Sequence, residues 1–207
     1  MLLTEKSPLK TSYVFGGLYF FIDMSFNNIL SAFEIMEDDE LNDLEKGKML
    51  MYMLTGEDGF MSDDFMTTQE DIDFTQGFLD DIFETLIIEK ETKKALPTDI
   101  LGNPLPIKDD DEEGNDDRTF DFVHDATYIF ASFMQAYHID LFDQHDVMHW
   151  GKFLALFNGL PSETIIMKVI DVRERPIPTG KDSKEEAKEL RKAKQKFALP
   201  EKKKVGE

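Results

Sequence analysis

Apolar residues near the start of the chain follow the short-period pattern of β-strands. The segment 11–23 contains two aromatic and β-branched runs that meet at Gly16 and Gly17. A Gly-Gly pair suits a tight hairpin turn, because both central residues of the favoured turn need a positive φ. The pattern therefore predicts a β-hairpin over residues 11–23.

The apolar period then lengthens to that of an α-helix. Ser25 is placed to cap the first helix, and the acids at 37–40 end its periodic run. A second helix is predicted from Asn42 or Asp43 to a stop at Gly56. The apolar positions of the first helix are Phe26, Ile29, Leu30 and Phe33.

Five further segments have a helical period and capping signals. A third helix is predicted over about 69–93, with Thr67 or Thr68 as its cap. Three prolines, a glycine and a run of acids then predict a flexible acidic insertion at 95–118. The remaining helices are predicted over 120–138, 144–158, 162–172 and 182–198.

These elements predict a mainly α fold, with a small N-terminal β-hairpin followed by a bundle of about six helices. A chain of 207 residues is long enough to bury one ordinary core. We expect residues 1–180 to form a single, mostly helical domain. Residues 181–207 are expected to form a basic, charged helix and tail.

Charge is distributed unevenly along the chain. Residues 1–180 carry 37 acids and 13 bases, whereas residues 181–207 carry 6 acids and 10 bases. An acidic body repels nucleic acid and anionic membranes, so neither is expected as a partner. There is no Cys, which excludes disulfides and thiolate chemistry. Without a signal-peptide core or an apolar run of about 20 residues, the chain is expected to be soluble and cytoplasmic.

Two short motifs resemble metal sites, and each lacks a required ligand. His145 and His149 would lie on one helix face, with Asp146 in place of the usual Glu and no obvious third ligand. Residues 109–114 resemble the start of a calcium loop whose twelfth position is Phe120 instead of a bidentate Glu. The sequence also contains no phosphate-binding glycine loop and no nucleophile turn. We therefore expect no catalysis, no metal and no cofactor.

A longer and more specific pattern covers residues 119–170. It reads T-F-D-F-V-H-D-A-T-Y-I-F-A-S-F-M-Q-A-Y-H-I-D-L over 119–141, H-W-G-K-F-L-A-L-F-N-G-L-P over 149–161 and I-M-K-V-I over 166–170. This pattern resembles the bacteriophage gene-product-fifteen family of phages and prophages of Gram-positive bacteria. The resemblance extends more loosely over nearly the whole chain and is weakest over 55–118.

The resemblance implies a tail-assembly chaperone encoded between the tail-tube and tape-measure genes. Such a protein would bind the phage tape-measure protein in the host cytoplasm and hold it soluble, with the tail-tube protein as a second candidate partner. The alternative is a structural subunit retained in the phage tail. A weaker third alternative, suggested by charge alone, is an acidic mimic of nucleic acid. The sequence leaves open whether the chain forms a homo-oligomer.

Apolar grooves rimmed by acids are the expected contact surfaces of such a chaperone. Tyr137, Trp150 and Phe153 are the candidate protein-binding residues, and the alternative is that they belong to the core. Met-rich and Phe-rich stripes allow the same two interpretations, because Met repacks around different partners whereas apolar helical stripes usually face inward. These stripes lie at 49–54, 60–66 and 74–83.

Overall fold

A computed structural model describes residues 8–87, 119–179 and 183–200 of the chain. These residues form two compact units: the N-terminal unit contains 8–87, and the C-terminal unit contains the other two ranges. The described residues contain a two-stranded sheet and seven α-helices, which confirms the mainly α fold with an N-terminal hairpin. The acidic insertion predicted at 95–118 lies outside the described residues. A single domain over 1–180 stays a prediction.

The N-terminal unit begins with the hairpin that the sequence predicts. Strands β1 (Lys10–Phe15) and β2 (Leu18–Asp23) pair in an antiparallel register. Gly16 and Gly17 form the turn with φ values of 57° and 79°. Both values are positive, as a primed turn requires, and such turns match the right-handed twist of the paired strands.

Three α-helices complete the N-terminal unit. They are α1 (Phe26–Glu37), α2 (Asp43–Thr55) and α3 (Gln69–Ile82). A 3₁₀ turn, Asp58–Met61, lies between α2 and α3, and a π-helical turn, Phe83–Ile87, directly follows α3. Beyond Ile87 the third predicted helix lies outside the described residues.

Side-chain caps fix where two of these helices begin. Asn42 Oδ1 accepts from the Glu45 amide at 3.0 Å, and Glu45 Oε2 accepts from the Asn42 amide at 2.9 Å. Thr68 forms the same reciprocal cap at the start of α3. Ser25 occupies the cap position of α1 without capping it, because its hydroxyl donates to Asp23 Oδ1 at 2.8 Å. The predicted N-cap position of Ser25 is therefore confirmed, whereas its side chain forms no capping hydrogen bond.

The core of the N-terminal unit forms where the inner face of the hairpin meets α3. Phe78 is fully buried, and its ring centroid lies 4.7 Å from that of Phe20 and 5.6 Å from that of Phe15. Asn28 Nδ2 donates to the carbonyls of Asp23 and Met53, which ties α1 to the end of β2 and to α2. The hairpin is thus held on the helices by one of its two faces.

Four α-helices form the C-terminal unit. They are α4 (Ala126–Tyr137), α5 (Trp150–Asn158), α6 (Ile165–Glu174) and α7 (Lys184–Lys196), with a 3₁₀ turn at Phe142–Gln144 before α5. Helices are therefore present in all four segments where this part of the sequence predicts them. Two of them begin about six residues later than predicted.

The late start of α4 results from a competing turn. Asp121 Oδ1 accepts from the amides of Val123 and His124, both at 2.8 Å. An Asp side chain that satisfies nearby amides in this way favours a turn over a helix. Helix α4 therefore begins at Ala126 although Phe122 keeps the helical apolar spacing.

A left-handed residue delays α5 in the same way. Asp146 has a φ of 55°, which interrupts the predicted helix. His149 then caps α5, because its Nδ1 accepts from the Gly151 amide at 3.0 Å. Val147 keeps the helical spacing of Trp150, Leu154 and Phe157, which predicts that it lies on the apolar stripe of the helix over 144–158. Its side chain is 65% exposed, so this prediction is wrong.

The core of the C-terminal unit is a set of stacked aromatic rings. Phe153 is fully buried and stacks on Trp150 and Phe133, with ring centroids 5.3 Å and 5.2 Å away. Tyr137 donates its hydroxyl to the Leu156 carbonyl at 2.9 Å, which joins α4 to α5. Ser132, also buried, accepts from the first turn of α6 through the Ile166 amide at 3.1 Å.

Arg173 on α6 connects three parts of the C-terminal unit. Its guanidinium donates to both carboxylate oxygens of the fully buried Asp125, at 2.6 Å and 2.8 Å. It also donates to the carbonyls of Thr119 and Phe197. Lys194 on α7 donates to the Arg173 carbonyl at 2.6 Å. The charged C-terminal helix is therefore part of this compact unit.

Candidate protein-binding surface

The outer face of the hairpin exposes three large apolar side chains. Val14 is 54% exposed, Tyr19 is 80% exposed and Phe21 is 62% exposed. Val14 and Tyr19 are paired directly across the two strands, and Phe21 lies two positions further along β2 on the same face. We call these three residues the hairpin face. Contiguous exposed apolar surface of this kind is typical of protein contact sites.

The opposite face of the hairpin anchors it firmly to α3. The Tyr13 hydroxyl donates to Asp81 on α3, and the Tyr13 ring meets Phe78 edge-on at 6.3 Å. Burial raises the pKa of Tyr13, and the hydrogen bond to Asp81 adds to this shift. These contacts hold the hairpin in one orientation, so the hairpin face stays directed outward.

No third strand pairs with the hairpin within the residues that the structure describes. β1 and β2 pair only with each other there, in a sheet of two strands. A strand edge without a strand partner is a known template for pairing with another extended segment.

The N-terminal unit that carries the hairpin face has a strongly negative net charge. Residues 8–87 carry 18 acids and 3 bases. Two of those bases are engaged with backbone carbonyls: Lys46 Nζ donates to Met36 O and Lys48 Nζ donates to Ser62 O, both at 2.9 Å. The N-terminal unit therefore combines exposed apolar side chains with an acidic surface.

A groove of about 480 Å³ lies between α2 and α3 in the same unit. The Met-rich and Phe-rich stripes face mostly inward, and Met51, Leu54, Phe78 and Ile82 are fully buried. Part of the stripes instead lines the groove, through Leu50, Met66 and Leu79. The stripes thus serve mainly as core and partly as groove lining.

The comparison with protein families gives a match to the model of the Bacteriophage Gp15 protein family over residues 6–199. The chain belongs to the bacteriophage Gp15 family. Neither a curated protein nor a solved structure matches it. The predicted resemblance is therefore confirmed, and this Gp15 family member is a phage protein.

Two of the three predicted binding residues of this Gp15 family member lie in the C-terminal core. Trp150 is 2% exposed and Phe153 is fully buried among aromatic rings. Tyr137 is half-buried and hydrogen-bonded to Leu156. The structure brings the three together as packing partners of α4 and α5, and their role in binding a partner stays a prediction.

Sequence reasoning missed the hairpin face, although a signal for it exists. The stretch from Leu18 to Ile22 is apolar at every position, and alternate residues of a strand point to opposite faces. A strand that is apolar on both sides, in a sheet covered by helices on one side, must expose half of those residues. The apolar run over 18–22 therefore indicates a second apolar face on the hairpin.

The predicted His145–His149 helix face does not exist. His145 follows the 3₁₀ turn and His149 precedes α5, with the left-handed Asp146 between them. In the described part of this Gp15 protein, no cluster of three or more His, Cys, Asp or Glu side chains is placed to hold a metal ion. Residues 109–114 lie outside that part. Among the described helices, none has both the length and the apolar character needed to cross a bilayer.

Proposed function

We propose that this Gp15 family member is a tail-assembly chaperone that binds the tape-measure protein of its phage in the host cytoplasm. It acts by binding, with no catalytic step, and keeps its client soluble until the tail tube forms. The observation that carries the proposal is the hairpin face, where Val14, Tyr19 and Phe21 are exposed on an acidic unit.

The chemistry of the hairpin face suits reversible binding of an apolar client. Aromatic side chains such as Tyr19 and Phe21 are strong anchors in protein interfaces, because they bury large areas with few rotatable bonds. Surrounding acids keep a chain with exposed apolar groups from self-association. The tape-measure protein is proposed as the client because family resemblance implies it.

The second candidate is a structural subunit that remains in the finished tail. The edges of β1 and β2, which have no further strand partner among the described residues, favour it, because strand addition between neighbours is a common way to build repeating assemblies. A retained subunit would be present in virions at a fixed copy number, whereas a chaperone would leave before maturation. The two candidates therefore differ in a measurable way.

The test is co-expression of the tape-measure protein with and without this chain, followed by affinity pull-down and mass spectrometry of purified virions. A chaperone makes the tape-measure protein soluble, co-purifies with it and is absent from virions. If the chain is present in virions at a fixed copy number, the structural-subunit candidate replaces the chaperone proposal.

Point variants connect this test to the hairpin face. Tyr19→Ser and Phe21→Ser should each weaken co-purification, since loss of an aromatic anchor costs on the order of 2 kcal/mol, or about 30-fold in affinity. The matched control is Val147→Ser, which removes an apolar side chain that is 65% exposed in the C-terminal unit. Equal binding by all three variants would exclude the hairpin face as the contact surface.

A further inference from the structure

The groove between α2 and α3 has an apolar floor that includes a glycine. Gly47, Leu50 and Met66 are buried and line the groove. A Cβ atom at Gly47 would lie 3.0 Å from Met66 Cε, so a larger residue there would require the end of the Met66 side chain to shift. Leu44 and Leu79 line the groove with partly exposed side chains.

A buried hydroxyl without a partner lies in the lining. Thr75 is 1% exposed and lines the groove, and its Oγ1 has no hydrogen-bond partner among the described residues. Two other threonines in this unit donate to the carbonyl four residues earlier: Thr55 at 2.7 Å and Thr85 at 2.6 Å. Buried polar groups are normally paired, so the hydroxyl of Thr75 is a local exception in the wall of the groove.

The backbone at the groove is also strained. Met66 has a φ of 57°, in the left-handed region that residues other than glycine rarely adopt. The surrounding structure must maintain this strain. The strain at Met66 and the unpaired hydroxyl of Thr75 are two local costs in the lining of the same groove.

The charge of the unit determines which partner fits. Asp43 lies at the groove, and the neighbouring Lys46 is engaged with the Met36 carbonyl. With 18 acids and 3 bases in residues 8–87, an anionic occupant is repelled and a cationic one is attracted. A channel between two packed helices has the shape that accepts a third helix, and few polar groups converge there to hold a small polar ligand.

We propose that the α2–α3 groove binds an amphipathic helix of a partner protein, with an apolar stripe against Leu44 and Leu79 and flanking Lys or Arg side chains attracted by the net negative charge of the unit. This inference rests on the proposed function for the partner's role in tail assembly, and it assigns a second contact site beside the hairpin face.

The first experiment measures binding of synthetic helices to the full chain by fluorescence anisotropy. The probes are a Leu/Lys amphipathic helix, a Leu/Glu helix and a Ser/Lys helix that keeps the cations without the apolar stripe. Only the Leu/Lys helix should bind. If the Ser/Lys helix binds as tightly as the Leu/Lys helix, charge alone explains the binding and the proposal is overturned. Tight binding of the Leu/Glu helix would also overturn it, because that helix has no cations.

Two variants locate the site. Leu44→Gln should weaken binding of the Leu/Lys helix by about tenfold or more. The control Tyr52→Gln changes an exposed residue of the same helix that does not line the groove and should bind normally. Thr75→Val, which is isosteric, removes the unpaired hydroxyl and should raise Tm. A lower Tm would contradict the unpaired hydroxyl, and unchanged binding in Leu44→Gln overturns the assignment of the groove.

Two further results separate this proposal from the alternatives. Analytical ultracentrifugation that shows a dimer dissociated by Leu44→Gln would identify a second copy of the chain as the occupant and overturn the partner helix. In co-expression, a Leu44→Gln chain that still solubilises the tape-measure protein as well as the wild type refutes the groove and leaves the proposed function intact. If the wild-type chain binds the Leu/Lys helix through the groove but does not make the tape-measure protein soluble, the proposed function is refuted and the assignment of the groove stands.

Discussion

Residues 8–87 carry 18 acids and 3 bases, whereas the described residues of the C-terminal unit carry 11 acids and 10 bases. The acidic unit exposes Tyr19 and Phe21 on one strand and leaves the buried hydroxyl of Thr75 unpaired. The nearly neutral unit satisfies its buried carboxylate with a bidentate arginine. Both units contain left-handed residues other than glycine and exposed apolar side chains. The two units therefore differ in their charge and in how their buried polar groups are satisfied.

The largest expected effect comes from removing the buried arginine of the C-terminal unit. Arg173→Met leaves the fully buried carboxylate of Asp125 without its charge partner and should lower the free energy of unfolding by about 3–5 kcal/mol. The readout is urea unfolding followed by the fluorescence of Trp150, which is the only tryptophan and lies in the core of this unit.

The matched control for this prediction lies two residues away. Arg175 pairs with Asp171 on the same helix, and both side chains are more than half exposed. Arg175→Met should cost less than about 1 kcal/mol, since exposed ion pairs contribute little. If the two variants lose equal stability, the Arg173–Asp125 pair does not organise the C-terminal unit.

The hairpin turn gives the next largest effect, in the other unit. Gly16→Ala forces a left-handed alanine, which costs about 1–2 kcal/mol, and its Cβ would also lie 2.9 Å from Phe74 Cε2. Gly17 also has a positive φ, but a Cβ atom there would meet open space. Gly17→Ala should therefore lower the free energy of unfolding by only about 1 kcal/mol. Hydrogen exchange of peptides from β1 and β2 measures both. Equal exchange in the two variants would contradict the predicted clash with Phe74.

Local chemistry explains why this part of the fold is predictable from sequence. Gly16 and Gly17 satisfy a turn that few other residues can form, and the Asn42–Glu45 and Thr68–Asp71 caps are signalled within four residues of sequence. Each signal depends on neighbours in the chain. The hairpin and the starts of α2 and α3 therefore match prediction closely.

A smaller effect is expected when one such cap is removed from the acidic unit. Asn42→Ala leaves the Glu45 amide without its acceptor and should cost about 1 kcal/mol. Asn42→Ser keeps a capping oxygen and is the control. Far-UV circular dichroism during urea unfolding measures both, and an Ala variant as stable as the Ser variant would show that the cap contributes nothing there.

Long-range contacts explain what the sequence could not show. Asp125 and Arg173 are 48 positions apart, so nothing local indicates that they pair. Phe122 and Val147 keep helical spacing, yet the Asp121 turn and the left-handed Asp146 place both outside helices. The groove and the hairpin face depend on which apolar residues the fold covers, and periodicity does not reveal that.

The smallest predicted effect concerns pH and the cap that delays α5. Burial lowers the pKa of His149 below its ordinary value of 6.5, and its neutral Nδ1 must accept from the Gly151 amide. The unfolded chain therefore takes up this proton more readily than the folded one. The stability that the neutral ring contributes is complete above pH 6.5 and is lost as the pH falls through the lowered pKa.

Urea unfolding between pH 7.5 and pH 5, followed by Trp150 fluorescence, tests this sign. The measured quantity is the urea concentration at the midpoint, because protonation of the neighbouring His149 also changes the fluorescence intensity. His149→Asn keeps a capping oxygen without a titrating ring and should flatten the pH dependence of the midpoint. His138→Asn, at the left-handed end of α4, is the control and should leave the slope unchanged. If His149→Asn keeps the wild-type slope, other groups set the pH response, and the C-terminal unit resists acid through contacts that do not involve the α5 cap.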